Sequence, residues 1–258
     1  MTTVIAVESK DDVIVCADSQ QTSWVKEYAN KIINVGPHAL LGCAGRSEYI
    51  GIFEKYMIDG LIRKNQPKEL WHPTLLLNSI LDSYSKYVVQ RMEDLKLAKY
   101  DRDYDPKSYF PEAIYAYFDD ESGIFRIYTT EPLNPWMELP QFSRAAIGSG
   151  GIAGTVFLKT AEDYMEHFGL GWKNFSTKAV SHFLWIVMRR ISNIDPFSSG
   201  IKIYRLGTEK TTELRFDEAD DSLSSLTKDI VADLSPVKTK EILDKIDLAN
   251  ILKGLGLG

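Results

Sequence analysis

Cysteine is almost absent: Cys16 and Cys43 are the two in 258 residues, and both lie within apolar segments that read as strands. Two thiols in such runs fit a reduced interior better than a disulfide or a metal site. Histidine is scarce as well. His38, His72, His167 and His182 are scattered without ligand spacing, and no cysteine or acidic cluster completes a set, so no metal and no other cofactor is expected. Long hydrophobic runs are missing too. The longest, residues 183–188, falls far short of the roughly 20 residues a membrane-spanning helix needs. The start lacks the pattern of a signal or transit peptide, because residues 2–7 meet Glu8, Lys10, Asp11 and Asp12 at once, so a cytoplasmic location is expected. A net charge of −6 without any basic run argues against nucleic acid or an anionic membrane as principal partner. No internal repeat or long low-complexity segment is visible.

What is present is an ordinary soluble composition, 44% hydrophobic and 26% charged, in a chain long enough for one sizeable core with a short appendage. Residues 2–7 and 12–17 are β-rich runs around a charged turn, and residues 31–35 and 39–43 flank the breakers Gly36 and Pro37. After Gly45 the pattern turns helical, with Ile50, Phe53, Tyr56 and Met57 on one face and a second helical stretch over residues 73–97. Residues 99–111 read as an exposed, turn-rich loop. Strands return at 113–118, 124–128 and 144–147; two helices fit between Ile152 and Ile191; residues 201–206 and 213–216 are again strand-like. The order strands, helices, strands, helices, strands predicts an α+β fold with helices packed outside a pair of antiparallel sheets. From Asp217 an acidic, serine-rich linker leads to an apolar helical stripe of Ile242, Ile246, Ala249 and Leu252. The expected division is a domain of residues 1–216 and an extension of residues 217–258.

The chemistry starts at the amino end. Removing Met1 would leave Thr2 with a free α-amine, and an amine of pKa roughly 7.7–8.0 can serve as base to its own hydroxyl. Thr2-Thr3-Val4-Ile5-Ala6-Val7, then Val13-Ile14-Val15-Cys16-Ala17-Asp18, Asn30-Lys31-Ile32-Ile33, Gly42-Cys43-Ala44-Gly45 and Gly148-Ser149-Gly150-Gly151 stand in an order and spacing that resemble the proteasome β-type N-terminal-nucleophile hydrolases, including related bacterial threonine peptidases. Asp195 with Ser198, Ser199 and Gly200 is similar to that family's late aspartate-serine-glycine segment. The likeness spans residues 2 to about 216.

The resemblance implies a four-layer αββα sandwich and a threonine peptidase in which Thr2, Asp18, Lys31, Gly45, Ser149 and Asp195 are the catalytic set. An ammonium at Lys31 would favour the neutral amine and the ionised hydroxyl of Thr2, and Asp18 would hold that lysine. The Gly45 amide would face the developing oxyanion, while Ser149 and Asp195 would orient the α-amine. An acyl-enzyme ester forms and water resolves it. Ala29, Ile33, Cys43 and Ser47 are the implied substrate-pocket walls. The segment from Asp18 to Lys31 is about three residues shorter than in the family, and either Ser198 or Ser199 fills the late serine position. The implied partners are an unfolded polypeptide or peptide substrate, further copies of the chain in a ring, and an AAA+ unfoldase. Two alternatives share the sequence: a transpeptidase in which an amine replaces water as acceptor, and a scaffold subunit that retains Met1.

Overall fold

The computed structural model describes residues 2–22, 26–28, 30–36, 38–63, 73–95, 109–131, 134–138, 144–194, 200–216 and 223–234. Its first sheet has the order β10-β1-β2-β11-β12, built from β10 (Arg144–Gly148), β1 (Thr3–Glu8), β2 (Val13–Asp18), β11 (Ile201–Leu206) and β12 (Thr211–Leu214). The second has the order β5-β6-β7-β8-β9, from β5 (Ile32–Gly36), β6 (Ala39–Ala44), β7 (Glu112–Asp119), β8 (Ile124–Thr130) and β9 (Met137–Glu138). Every described pairing is antiparallel. A separate hairpin joins β3 (Gln20–Thr22) to β4 (Lys26–Tyr28).

Strand alternation explains how the layers stack. On β1 and β2, Val4, Ala6, Val13, Val15 and Ala17 join Ile32, Leu40, Ile114 and Ala116 of the second sheet in a core between the sheets. The intervening Ile5, Val7, Ile14 and Cys16 face the opposite way, into a second core under the helices α3 (Gly151–His167) and α4 (Thr177–Ile194). Both faces are therefore covered, which is why these strands read as continuous apolar runs with no polar alternation. On the other side, Leu41, Cys43 and Tyr115 pack with Phe53 and Met57 of α1 (Ser47–Arg63) and with Leu77, Tyr84 and Val88 of α2 (Pro73–Leu95). Four layers result, helices over two antiparallel sheets over helices, the αββα arrangement expected from the sequence.

Two features of the C-terminal part differ from the sequence pattern. The last strand occupies Thr211–Leu214 where residues 213–216 were expected, because the amide of Gly207 donates to Lys210 O (3.1 Å) and closes a short turn that starts the register at Leu206 opposite Thr211. Within the stretch expected to be a linker from Asp217, residues Leu223–Asp233 form helix α5. Leu226 and Leu234 are buried in the core beneath α4, and its acids hold polar partners on α4. Asp229 accepts from Lys178 Nζ (2.6 Å) and pairs with His182 Nδ1 (2.8 Å), and Asp233 accepts from the amide and hydroxyl of Ser176, the residue that caps α4 (2.9 and 2.8 Å). The acidic composition that reads as a linker thus serves a docked helix. The apolar stripe expected over residues 237–252 and most of the loop expected at 99–111 lie outside the described residues. Among the described residues no helix is long and apolar enough to cross a membrane.

Leu226 is 1% exposed, so Leu226→Ala should lower stability by about 2–5 kcal/mol in urea denaturation. A loss below about 0.5 kcal/mol would show that α5 is not docked in solution.

Candidate functional site

Strand register gathers the sequence-predicted residues at one end of both sheets. Val4 lies opposite Ala17, so Asp18 at the end of β2 comes beside Thr3; Thr3 lies opposite Gly148, so Ser149 comes beside Thr2. Lys31 precedes β5, and its carbonyl accepts from the Cys43 amide (3.0 Å), which sets it against the end of β6 just before Gly45. Where the two sheets meet here the fit is tight: a Cβ added at Gly42 would lie 2.6 Å from Cγ1 of Val4.

The polar geometry centres on Asp18. Its Oδ1 accepts from the Thr3 amide (2.6 Å) and its Oδ2 from Lys31 Nζ (2.5 Å). Asp18 is 1% and Lys31 6% exposed, so the pair is shielded from water and is held by charge and hydrogen bonding together. Burial raises the Asp18 carboxyl above its ordinary range, and the Lys31 ammonium and the Thr3 amide offset only part of that rise. On the other flank, Thr2 N donates to Ser149 Oγ (3.2 Å). Gly148, at φ +86°, passes so close to Thr2 that an added Cβ would stand 1.9 Å from the Thr2 carbonyl oxygen, so only glycine fits this turn. Gly45, at φ +143°, is exposed and packs on Pro111, whose Cα would be 3.3 Å from a Cβ there.

A model of the family described as Proteasome subunit matches residues 1–167. The chain belongs to the proteasome subunit family. That match takes in Thr2, Asp18, Lys31, Gly45 and Ser149, and it agrees with the two-sheet sandwich. The search of curated proteins found no match. Among proteasome-family features, the late segment with Asp195, Ser198 and Ser199 lies outside the described residues, as does Ala29. The Gly200 carbonyl accepts from the Ser19 amide (2.6 Å) and Ile201 lies opposite Asp18, so β11 enters directly beside Asp18.

Of the expected pocket walls, Cys43 is wholly buried in the core facing α1 and α2, and Ile33 is partly buried against the same core. The backbone of Ser47 starts α1, and its side chain lies outside the described residues. Burial raises both thiols, Cys16 and Cys43, well above the ordinary range, leaving them as uncharged core groups. Among the described residues no group of three or more His, Cys, Asp or Glu is placed to hold a metal ion.

Two carboxylates here had no sequence signal. Glu112 accepts from the Gly148 amide through Oε2 (2.6 Å), a contact between residues 36 apart that no local pattern encodes. Glu54, on α1, lies near Cys43; its Oε1 is buried with no hydrogen-bond partner, and burial raises its carboxyl from 4.5 to about 7. Because the folded-state value is the higher one, folding favours the protonated form; the cost of ionisation appears as pH rises past 4.5 and is complete above about 7. Glu54→Gln should therefore raise the melting temperature at pH 8 and leave it nearly unchanged at pH 4. Equal effects at the two pH values would contradict a buried, ionisation-sensitive Glu54.

Proposed function

We propose that the chain is a threonine peptidase that hydrolyses peptide bonds with Thr2, freed by removal of Met1, as N-terminal nucleophile. The observation that carries this reading is the buried Asp18 carboxylate bonded at once to Lys31 Nζ and to the amide of Thr3, the residue next to the nucleophile. A core charge pair adds little net stability over a hydrophobic pair of the same volume, since breaking even is the usual outcome of burying two charges, so stability alone does not account for it. An ammonium held by a buried carboxylate beside the amino end is the kind of charge that nucleophile activation uses.

In this mechanism the α-amine of Thr2 takes the proton of its own hydroxyl. The ammonium of Lys31, fixed by Asp18, disfavours a second positive charge on that amine and favours negative charge on the oxygen. Ser149, already within 3.2 Å of Thr2 N, orients the amine so that its lone pair faces the hydroxyl. Attack on a peptide carbonyl places negative charge on its oxygen, which the Gly45 amide meets at the end of β6; an ester forms, the amine returns its proton to the departing peptide amine, and water then cleaves the ester. Asp195, with either Ser198 or Ser199 in the late serine position, completes the support of the amine, and Ala29, Ile33 and Ser47 form the wall next to the scissile bond, with Cys43 in the core behind them. Proteasome-family subunits form rings and act on polypeptides. By analogy this chain assembles into a homo-oligomeric ring that confines the site, is fed by an AAA+ unfoldase, and works in the cytoplasm.

An epoxyketone, whose ketone and epoxide capture a hydroxyl and an amine on one residue, should label the processed wild-type chain at Thr2. Thr2→Ala should lose the adduct while keeping its far-UV circular dichroism. Unchanged labelling of Thr2→Ala would remove Thr2 as nucleophile. Lys31→Ala should reduce peptide hydrolysis by at least about 100-fold; near-normal turnover would make Lys31 a structural residue only.

A further inference from the structure

The stretch that leads into β7 borders the site from the second sheet. Tyr109 is anchored there twice: the Tyr84 hydroxyl donates to its carbonyl (2.7 Å), and the Arg46 guanidinium lies over its ring at 5.9 Å. Two residues on, Pro111 packs against Gly45. Glu112 follows as the first residue of β7, opposite Ala44 at the end of β6. Its carboxylate leaves its own sheet, and Oε2 accepts from the amide of Gly148 on the first sheet. Gly148 is the glycine pressed on the Thr2 carbonyl, and Ser149 beside it takes the Thr2 N–H. Two polar ties thus cross the sandwich on either side of Thr2: Asp18 of the first sheet reaches Lys31 of the second, and Glu112 of the second reaches Gly148 of the first.

From this geometry we infer that Glu112 is a positioning residue, which locks the turn of Gly148 and Ser149 onto Thr2 and so fixes the amine, and whose negative charge counterbalances Lys31 at that amine. The inference rests on the reading of Thr2 as nucleophile. The tie is charge-assisted and short, so it specifies where the turn sits more firmly than a neutral contact would. The Gly148 amide belongs to an edge strand, β10, where this carboxylate takes the place of a strand partner. The charge has a second effect: a carboxylate near an amine favours the protonated form, opposing the influence of the Lys31 ammonium. Glu112 thereby sets both the place and the basicity of the group that must accept the hydroxyl proton.

The test is the rate of epoxyketone labelling of the processed chain, followed by intact mass from pH 5.5 to 9, for wild type, Glu112→Ala and Glu112→Gln, with far-UV circular dichroism on each. Glu112→Ala loses the acceptor and should label at least about tenfold more slowly at pH 7.5. Glu112→Gln keeps an acceptor oxygen and loses the charge; its plateau rate should return to within about threefold of wild type, while its pH midpoint moves to lower pH by about half a unit. Should Glu112→Ala fail to fold, the midpoint of Glu112→Gln decides alone. Wild-type rate and midpoint in the variants would overturn the role of Glu112 and leave Thr2 in place, and so would a Glu112→Gln chain as slow as Glu112→Ala. A wild-type chain without Met1 that takes no label at Thr2 would instead end the nucleophile reading, and the inference with it.

Discussion

One carboxylate holds the working end of this protein together. Asp18 is closed off from water, receives the amide of Thr3 on one oxygen and the ammonium of Lys31 on the other, and so ties the first strand of one sheet to the entry of the first strand of the other. Removing either charged partner would strand the other in a low-dielectric interior, an error of about 3–5 kcal/mol in comparable buried pairs. The pair is therefore mutually obligatory. It also dictates the surroundings: the lysine must enter β5 at a fixed height, the tight sheet contact at Gly42 must be kept small, and Thr2 must emerge beside Gly148.

The layered fold explains why such a pair can persist. Helices cover the outer face of each sheet, so the strands around Asp18 are apolar on both sides and exclude water from the ion pair. The same covering makes helix α5 part of the domain's packing. Leu226 extends the core, and Asp229 and Asp233 hold α4 through Lys178, His182 and Ser176.

Much of this was legible in the chain. The strands at residues 3–8, 13–18, 32–36 and 39–44 and the helices after Gly45 and Gly150 announce themselves by continuous apolar runs and 3.6-residue spacing, because those signals are local. Thr2, Asp18, Lys31 and Ser149 were readable from a spaced likeness, and strand register brings them to one place. The hairpin of Gln20–Thr22 and Lys26–Tyr28 was not foreseen, since six polar or isolated aromatic residues carry no period. Helix α5 was hidden by an acidic composition whose purpose appears only when Asp229 and Asp233 are seen against α4. Glu112 and Glu54 were missed for a related reason. What matters about each is a partner, or the lack of one, supplied by a distant part of the chain, and neither sits in a motif.

The most direct measurement is the intact mass of the chain purified from its native cell. The account predicts the mass of a chain that begins at Thr2, with the α-amine free. Material that is functional and still carries Met1 would contradict it, because an amide nitrogen in place of that amine cannot take the proton of the attacking hydroxyl.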